Sequence, residues 1–114
     1  MEKFDAWLDE IRDDSDEFSY RVIYSAYLKA SSGFESQGVE SSSRRLPDGG
    51  YEIRAGRTSI VLADDAEREA LAAYMERRYC GDRYPNMRAW ESQQHDWYVE
   101  DLRNWTSDGW SGPG

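Results

Sequence analysis

The chain's single histidine, His95, stands beside Asp96. A carboxylate next to an imidazole can raise its pKa and make it a general base. The single cysteine, Cys80, is the one thiol that could act as a nucleophile, but it falls at the end of an expected helix, where no helix N-terminus lowers its pKa. Neither residue has the companions catalysis needs. The sequence contains no glycine-rich phosphate loop, no cysteine pair at zinc spacing, no HExxH helix and no serine elbow. A lone helical histidine is structural more often than catalytic, and an enzyme built on His95 would have to surround it with a pocket. Asp13, Asp14, Asp16 and Glu17 offer the hard oxygen ligands that calcium takes, without the glycine and spacing of a calcium loop. The expectation is a protein without catalytic residues, metal site or cofactor.

Binding chemistry remains. Asp5, Asp9 and Asp13 recur at i, i+4 and i+8, so a helix rising 1.5 Å per residue sets them in a row about 6 Å apart. That interval is close to two DNA phosphate steps of about 3.4 Å each. Glu10, Asp14 and Glu17 form a second row, with Asp16 beside it. Like charges at i, i+4 each cost a helix roughly a few tenths of a kcal/mol. Such a sequence is either a solvated face or a phosphate mimic offered to a basic partner. If the row is free, Asn at positions 5, 9, 13 and 14 removes charge without lowering stability. Five tryptophans are also more than a chain of 114 residues readily buries. Trp90 and Trp97 are expected in the core, leaving Trp105 and Trp110 as candidate interface anchors.

These residues need elements to hold them. Phe4, Trp7, Leu8 and Ile11 lie on one stripe of a helix from about Glu2 to Asp14, with acid on the other face. Phe18 to Ala30 reads as helix by length and as buried strand by its aromatic and β-branched content. The period then changes to 2. Tyr51, Ile53 and Ala55 alternate with Glu52 and Arg54, and TSIVLA follows a turn at Gly56, giving a hairpin. Pro47 to Gly50 turns the chain back to a serine-rich edge strand over Gly38–Leu46. Asp64 or Asp65 caps the next helix, whose inner face carries Ala66, Ala70, Leu71, Tyr74 and Met75 and whose end is marked by Gly81. Met87, Trp90, Trp97, Tyr98, Leu102 and Trp105 recur at three- or four-residue steps in a last helix. The fold class is α+β, a small antiparallel β-meander of about three strands packed with three or four α-helices. Residues 1–105 form a single domain and 106–114 a flexible C-terminal tail.

The 14 basic and 23 acidic residues give a net charge of −9, concentrated in residues 1–17, where eight acids face two bases. Such a surface repels phosphates and headgroups and attracts basic partners, so direct nucleic-acid and membrane binding are not expected. Charges interrupt every apolar run, and no secretory-signal pattern opens the chain, which makes the cytoplasm the expected compartment. The acidic first helix, the hairpin GYEIRAGRTSIVLA and the capped helix DDAEREALAAYMERR together resemble small phage-encoded anti-CRISPR proteins that block type I surveillance complexes. The resemblance covers about residues 47–79, while the long first helix and the tryptophan-rich last one depart from it. It implies a non-enzymatic inhibitor in a bacterial host cell, one that fills a basic DNA-binding groove of a Cas subunit with carboxylates. The rival reading is an immunity protein or antitoxin that neutralises a basic nuclease. A homodimer is compatible with both.

Overall fold

The computed structural model describes the backbone of residues 2–14 and 19–111 and the side chains of residues 2–13 and 19–104. Period-2 alternation between residues 41 and 62 produces an antiparallel sheet in the order β1 (Ser36–Gln37), β2 (Ser41–Arg45), β3 (Tyr51–Ala55), β4 (Thr58–Leu62). The expected three-stranded meander thus gains a two-residue strand, and the serine-rich strand has β1, not solvent, on its outer side. The β3–β4 hairpin closes over Gly56 and Arg57, with Ala55 opposite Thr58. Gly56 has φ +61 at the first central position, where the tight hairpin class that suits strand twist takes glycine.

Inward-facing Ser41, Ser43, Tyr51, Ile53, Ala55, Ile60 and Leu62 are all buried. Against them lie α1 (Glu2–Asp14), α2 (Ser19–Ser32) and α3 (Asp65–Tyr79), while α4 (Met87–Ser111) packs on α2 and α3. Helix therefore wins for the ambiguous second segment. Its Tyr20, Val22, Ile23, Ala26 and Ala30 supply a buried helical stripe, and the two small inward serines of β2 let it lie close. Ser25 and Ser41 hydrogen-bond across that contact. Ser43 and the fully buried Tyr51 both donate to the Phe34 carbonyl, which satisfies polar groups that the serine-rich strand takes into the interior.

The expected stripe of α1 is buried throughout: Phe4, Trp7, Leu8 and Ile11 are each 3% exposed or less. Asp64 caps α3 by accepting from the Glu67 N–H, and Glu67 in turn accepts from the Ala63 N–H. Gly81, at φ +52, takes up the turn after the helix ends. Two details of α3 differ from expectation. Ala66 is exposed, and the inner face includes Arg68, only 7% exposed. The guanidinium of Arg68 donates to the Ala30 carbonyl, pairs with Asp65 and lies 5.8 Å from the Tyr51 ring centre. A cation at the last turn of α2 complements the carbonyl end of that helix. It explains Gly33, where φ is +72 and a Cβ would sit 2.9 Å from the Arg68 Cζ.

Candidate partner-binding surface

The buried stripe of α1 fixes its rotation, and that rotation turns Asp5 and Asp9 toward α3 rather than outward. Arg78 takes both carboxylates, Nη1 at 2.9 Å from Asp5 Oδ1 and Nη2 at 2.6 Å from Asp9 Oδ1. Tyr74 also donates to Asp5, and that bond holds the phenol pKa above its ordinary value. The first two members of the expected phosphate-like row are therefore an internal clamp between α1 and α3. Neutralising either one would remove an ion pair with Arg78, so a loss of stability is now expected at these two positions in place of no change. The sequence contains a signal for the clamp. Tyr74 and Arg78 stand at i, i+4 on the capped helix, a donor pair at the same interval as Asp5 and Asp9.

The second row is less engaged. Glu10 accepts from the neutral Thr58 hydroxyl at 2.6 Å. Asp13 is exposed and makes no ion pair among the described residues. The side chains of Asp14, Asp16 and Glu17, like those of Trp105 and Trp110, lie outside the described residues.

A second set of carboxylates stands on α4. Tyr20, in the first turn of α2, lies 6.4 Å from His95 and 6.3 Å from Tyr98, ring centre to ring centre. That contact falls at the middle of α4, where Asp96, Glu100 and Asp101 are exposed without ion pairs among the described residues. Trp97, expected in the core, is 48% exposed, and Leu102 is 46% exposed. The correction has a geometric cause. Tyr98 occupies the position facing α2, so Trp97, about 100° away around the helix, points to the side. The helix also runs on to Ser111, past the boundary expected at residue 105.

A trough of about 530 Å³ is lined by His95, Asp96, Val99, Glu100, Arg103 and Asn104. Its described walls come from α4 alone, and neither His95 nor Asp96 hydrogen-bonds to another described residue. Such a trough can bind solvent or a small polar molecule, but it aligns no base with a nucleophile. Cys80 is buried at the end of α3, and burial pushes its thiol pKa up, away from the reactive thiolate. Among the described residues no group of three or more His, Cys, Asp or Glu side chains is placed to hold a metal ion, and no helix is long and apolar enough to cross a membrane.

On the outer face of the sheet Arg54 stands between Ser42 and Ser59 in register, and Arg44 pairs with Glu52 at 2.7 Å. No family model matches the chain, nor does any curated protein or solved structure.

Proposed function

We propose that the protein is a non-enzymatic inhibitor that binds a basic nucleic-acid-binding groove of a bacterial defence complex, a surveillance-complex subunit being the target class. The observation that carries this reading is the set of exposed carboxylates without ion pairs among the described residues, Asp13 on α1 and Asp96, Glu100 and Asp101 on α4. Unpaired charge in water keeps its long-range field and steers a basic partner, whereas Asp5 and Asp9 have spent theirs on Arg78. The contact accordingly moves from the first half of α1 to Asp13 and the middle turns of α4.

The test is DNA binding by a type I surveillance complex, measured by gel shift with increasing amounts of this protein. The expected result is loss of the complex–DNA band, with potency falling at least tenfold in the variant Asp13→Asn, Asp96→Asn, Glu100→Gln, Asp101→Asn and falling in the wild type as salt rises. A complex that retains its DNA at saturating protein, or a variant of undiminished potency, overturns the proposal.

A further inference from the structure

The helices pack on the inner side of the sheet, and its outer side faces solvent. Side chains paired in register across antiparallel strands share a face. Gln37 lies opposite Ser42, Ser42 opposite Arg54 and Arg54 opposite Ser59. One amide, two hydroxyls and one guanidinium therefore form a row across the four strands, about 14 Å long at about 4.8 Å per strand spacing. Every member of that row can donate a hydrogen bond, and none is a carboxylate. The next row, about 7 Å along the strands, sets Arg44 opposite Glu52 and Glu52 opposite Val61. Its one carboxylate is taken by Arg44, whose Nε lies 2.7 Å from Glu52 Oε1. Arg54, two residues along the strand from Glu52, is left without an ion pair among the described residues. Between the rows runs a groove of about 300 Å³, with Gln37, Ser42 and Arg54 on one wall, Arg44 and Glu52 on the other and Ser43 between them.

We propose that this groove binds the carboxylate group of a small organic acid, with Arg54 as the charged anchor. A guanidinium donates in a planar fork that matches the two oxygens of a carboxylate. The Ser42 hydroxyl and the Gln37 amide, neither of them hydrogen-bonded to another described residue, stand beside it as neutral donors. Charge selects a monoanion. Arg44 and Arg54 face Glu52 alone, which leaves one net positive charge in the groove, and Glu52 repels the second charge of a phosphate monoester. Size selects a small ligand, because about 300 Å³ is the lower end of the range for ligand sites. The chain as a whole, at −9, repels anions at long range, so binding rests on these contacts and falls in the millimolar range. None of these residues belongs to the carboxylate surface of α1 and α4, so the site stands or falls separately from the inhibitor reading.

Titration of the isotope-labelled full chain with sodium acetate to about 50 mM at constant ionic strength, followed by NMR, decides it. The expected result is saturable movement of the Arg54 Nε–H and Gln37 side-chain amide signals, with a Kd of about 1–10 mM. Arg54→Gln should weaken binding at least tenfold and leave the thermal melt in place, since this side chain has no partner in the fold among the described residues. Arg54→Lys keeps the charge without the fork and should recover only part of the affinity. Arg57→Gln, which removes an exposed arginine at the neighbouring turn, should leave binding unchanged. Methyl phosphate, a dianion at about pH 8, should bind more weakly than acetate. A capped Gly-Glu-Gly peptide, which offers the same group on a polypeptide, should bind no better than acetate. Shifts that never saturate overturn the proposal, as does an equal loss in the Arg57 variant or tighter binding of methyl phosphate. Tighter binding of the peptide would also overturn it, assigning the groove to a protein side chain instead of a small acid.

Discussion

Two acidic helices in this chain look alike in composition and behave differently. In α1 the apolar stripe is buried along its length, and the carboxylates beside it are drawn into contacts with α3 and β4 through Arg78 and Thr58. In α4 the stripe is buried over its first turns and bare afterwards, and Asp96, Glu100 and Asp101 meet no cation among the described residues. The density of acid along the chain is highest in α1, yet freely presented charge is found as much on α4. What separates them is the neighbour. The first helix lies against the helix that holds Arg78, whereas the far half of the last lies beyond the end of α2. A charge cluster read from sequence reports what a surface could attract, and the fold decides how much of that attraction is already satisfied inside the molecule.

The largest effect that separates the two helices is in packing. Leu8 is fully buried on α1 and Leu102 is 46% exposed on α4. Leu8→Ala should lower the unfolding free energy by about 2–5 kcal/mol, through lost apolar burial and the cavity left behind. Leu102→Ala should stay within about 0.5 kcal/mol in dilute solution. Urea denaturation of both variants measures this, and equal losses would mean that the far half of α4 is packed as firmly as α1.

Next in size is the clamp. Arg78→Met keeps the length of the side chain but leaves Asp5 and Asp9 facing each other one turn apart without their shared cation. The pairs are partly exposed, with side chains 22% accessible for Arg78, 47% for Asp5 and 59% for Asp9, so the loss should be about 1 kcal/mol rather than the several expected of a buried pair. Asp9→Asn alone should also destabilise, the reverse of what relief of like-charge repulsion predicts for an isolated helix. A double-mutant cycle over Arg78→Met and Asp9→Asn isolates the coupling. If Asp9→Asn raises the melting temperature, α1 is a free acidic face after all and the contrast with α4 disappears.

Much of the fold is legible in local patterns because local physics sets it. The stripe of Phe4, Trp7, Leu8 and Ile11, the turn at Gly56, the cap at Asp64 and the stop at Gly81 each require only neighbours in sequence. The α+β class follows from them. The features that escape a sequence reading are contacts between distant segments. Arg68 reaches Ala30 across 38 positions and Arg78 reaches Asp5 across 73, and although Tyr74 four positions earlier marks Arg78, nothing local to either arginine names its distant partner. Trp97 carries the periodicity of a core residue and is exposed because Tyr98, one position on, takes the side of α4 that faces α2, and which side a neighbour covers is a tertiary fact. The candidate surface was half legible for the same reason. Asp13 is exposed on α1 as its spacing implies, while Asp96, Glu100 and Asp101 emerge only from their exposure without ion pairs among the described residues.

The smallest effect concerns pH and tests whether α1 is tied to α3 at its N-terminal end as well. Lys3 donates to Glu67 at 2.5 Å, and that bond, with the Ala63 N–H second, holds the Glu67 pKa below its ordinary value of 4.5. Asp65 is likewise held below 3.8 by its hydrogen bonds to Arg45 and then Arg68. A carboxylate whose pKa is depressed in the folded state binds its proton more readily when unfolded. Its contribution is therefore complete above the ordinary carboxylate pKa and is lost as pH falls through the folded value. Stability should be level from neutral pH down to about pH 5.5 and decline below it. Because Lys3 and Glu67 are 47% and 28% accessible, solvent screening limits their pair to roughly a few tenths of a kcal/mol. Glu67→Gln should thus be slightly less stable than the wild type at pH 7, and the two should converge toward pH 3. Urea midpoints at the two pH values provide the measurement. Parallel decline with no convergence would show that the Lys3–Glu67 contact adds nothing, leaving the Arg78 clamp, the Thr58–Glu10 bond and the buried stripe to attach α1.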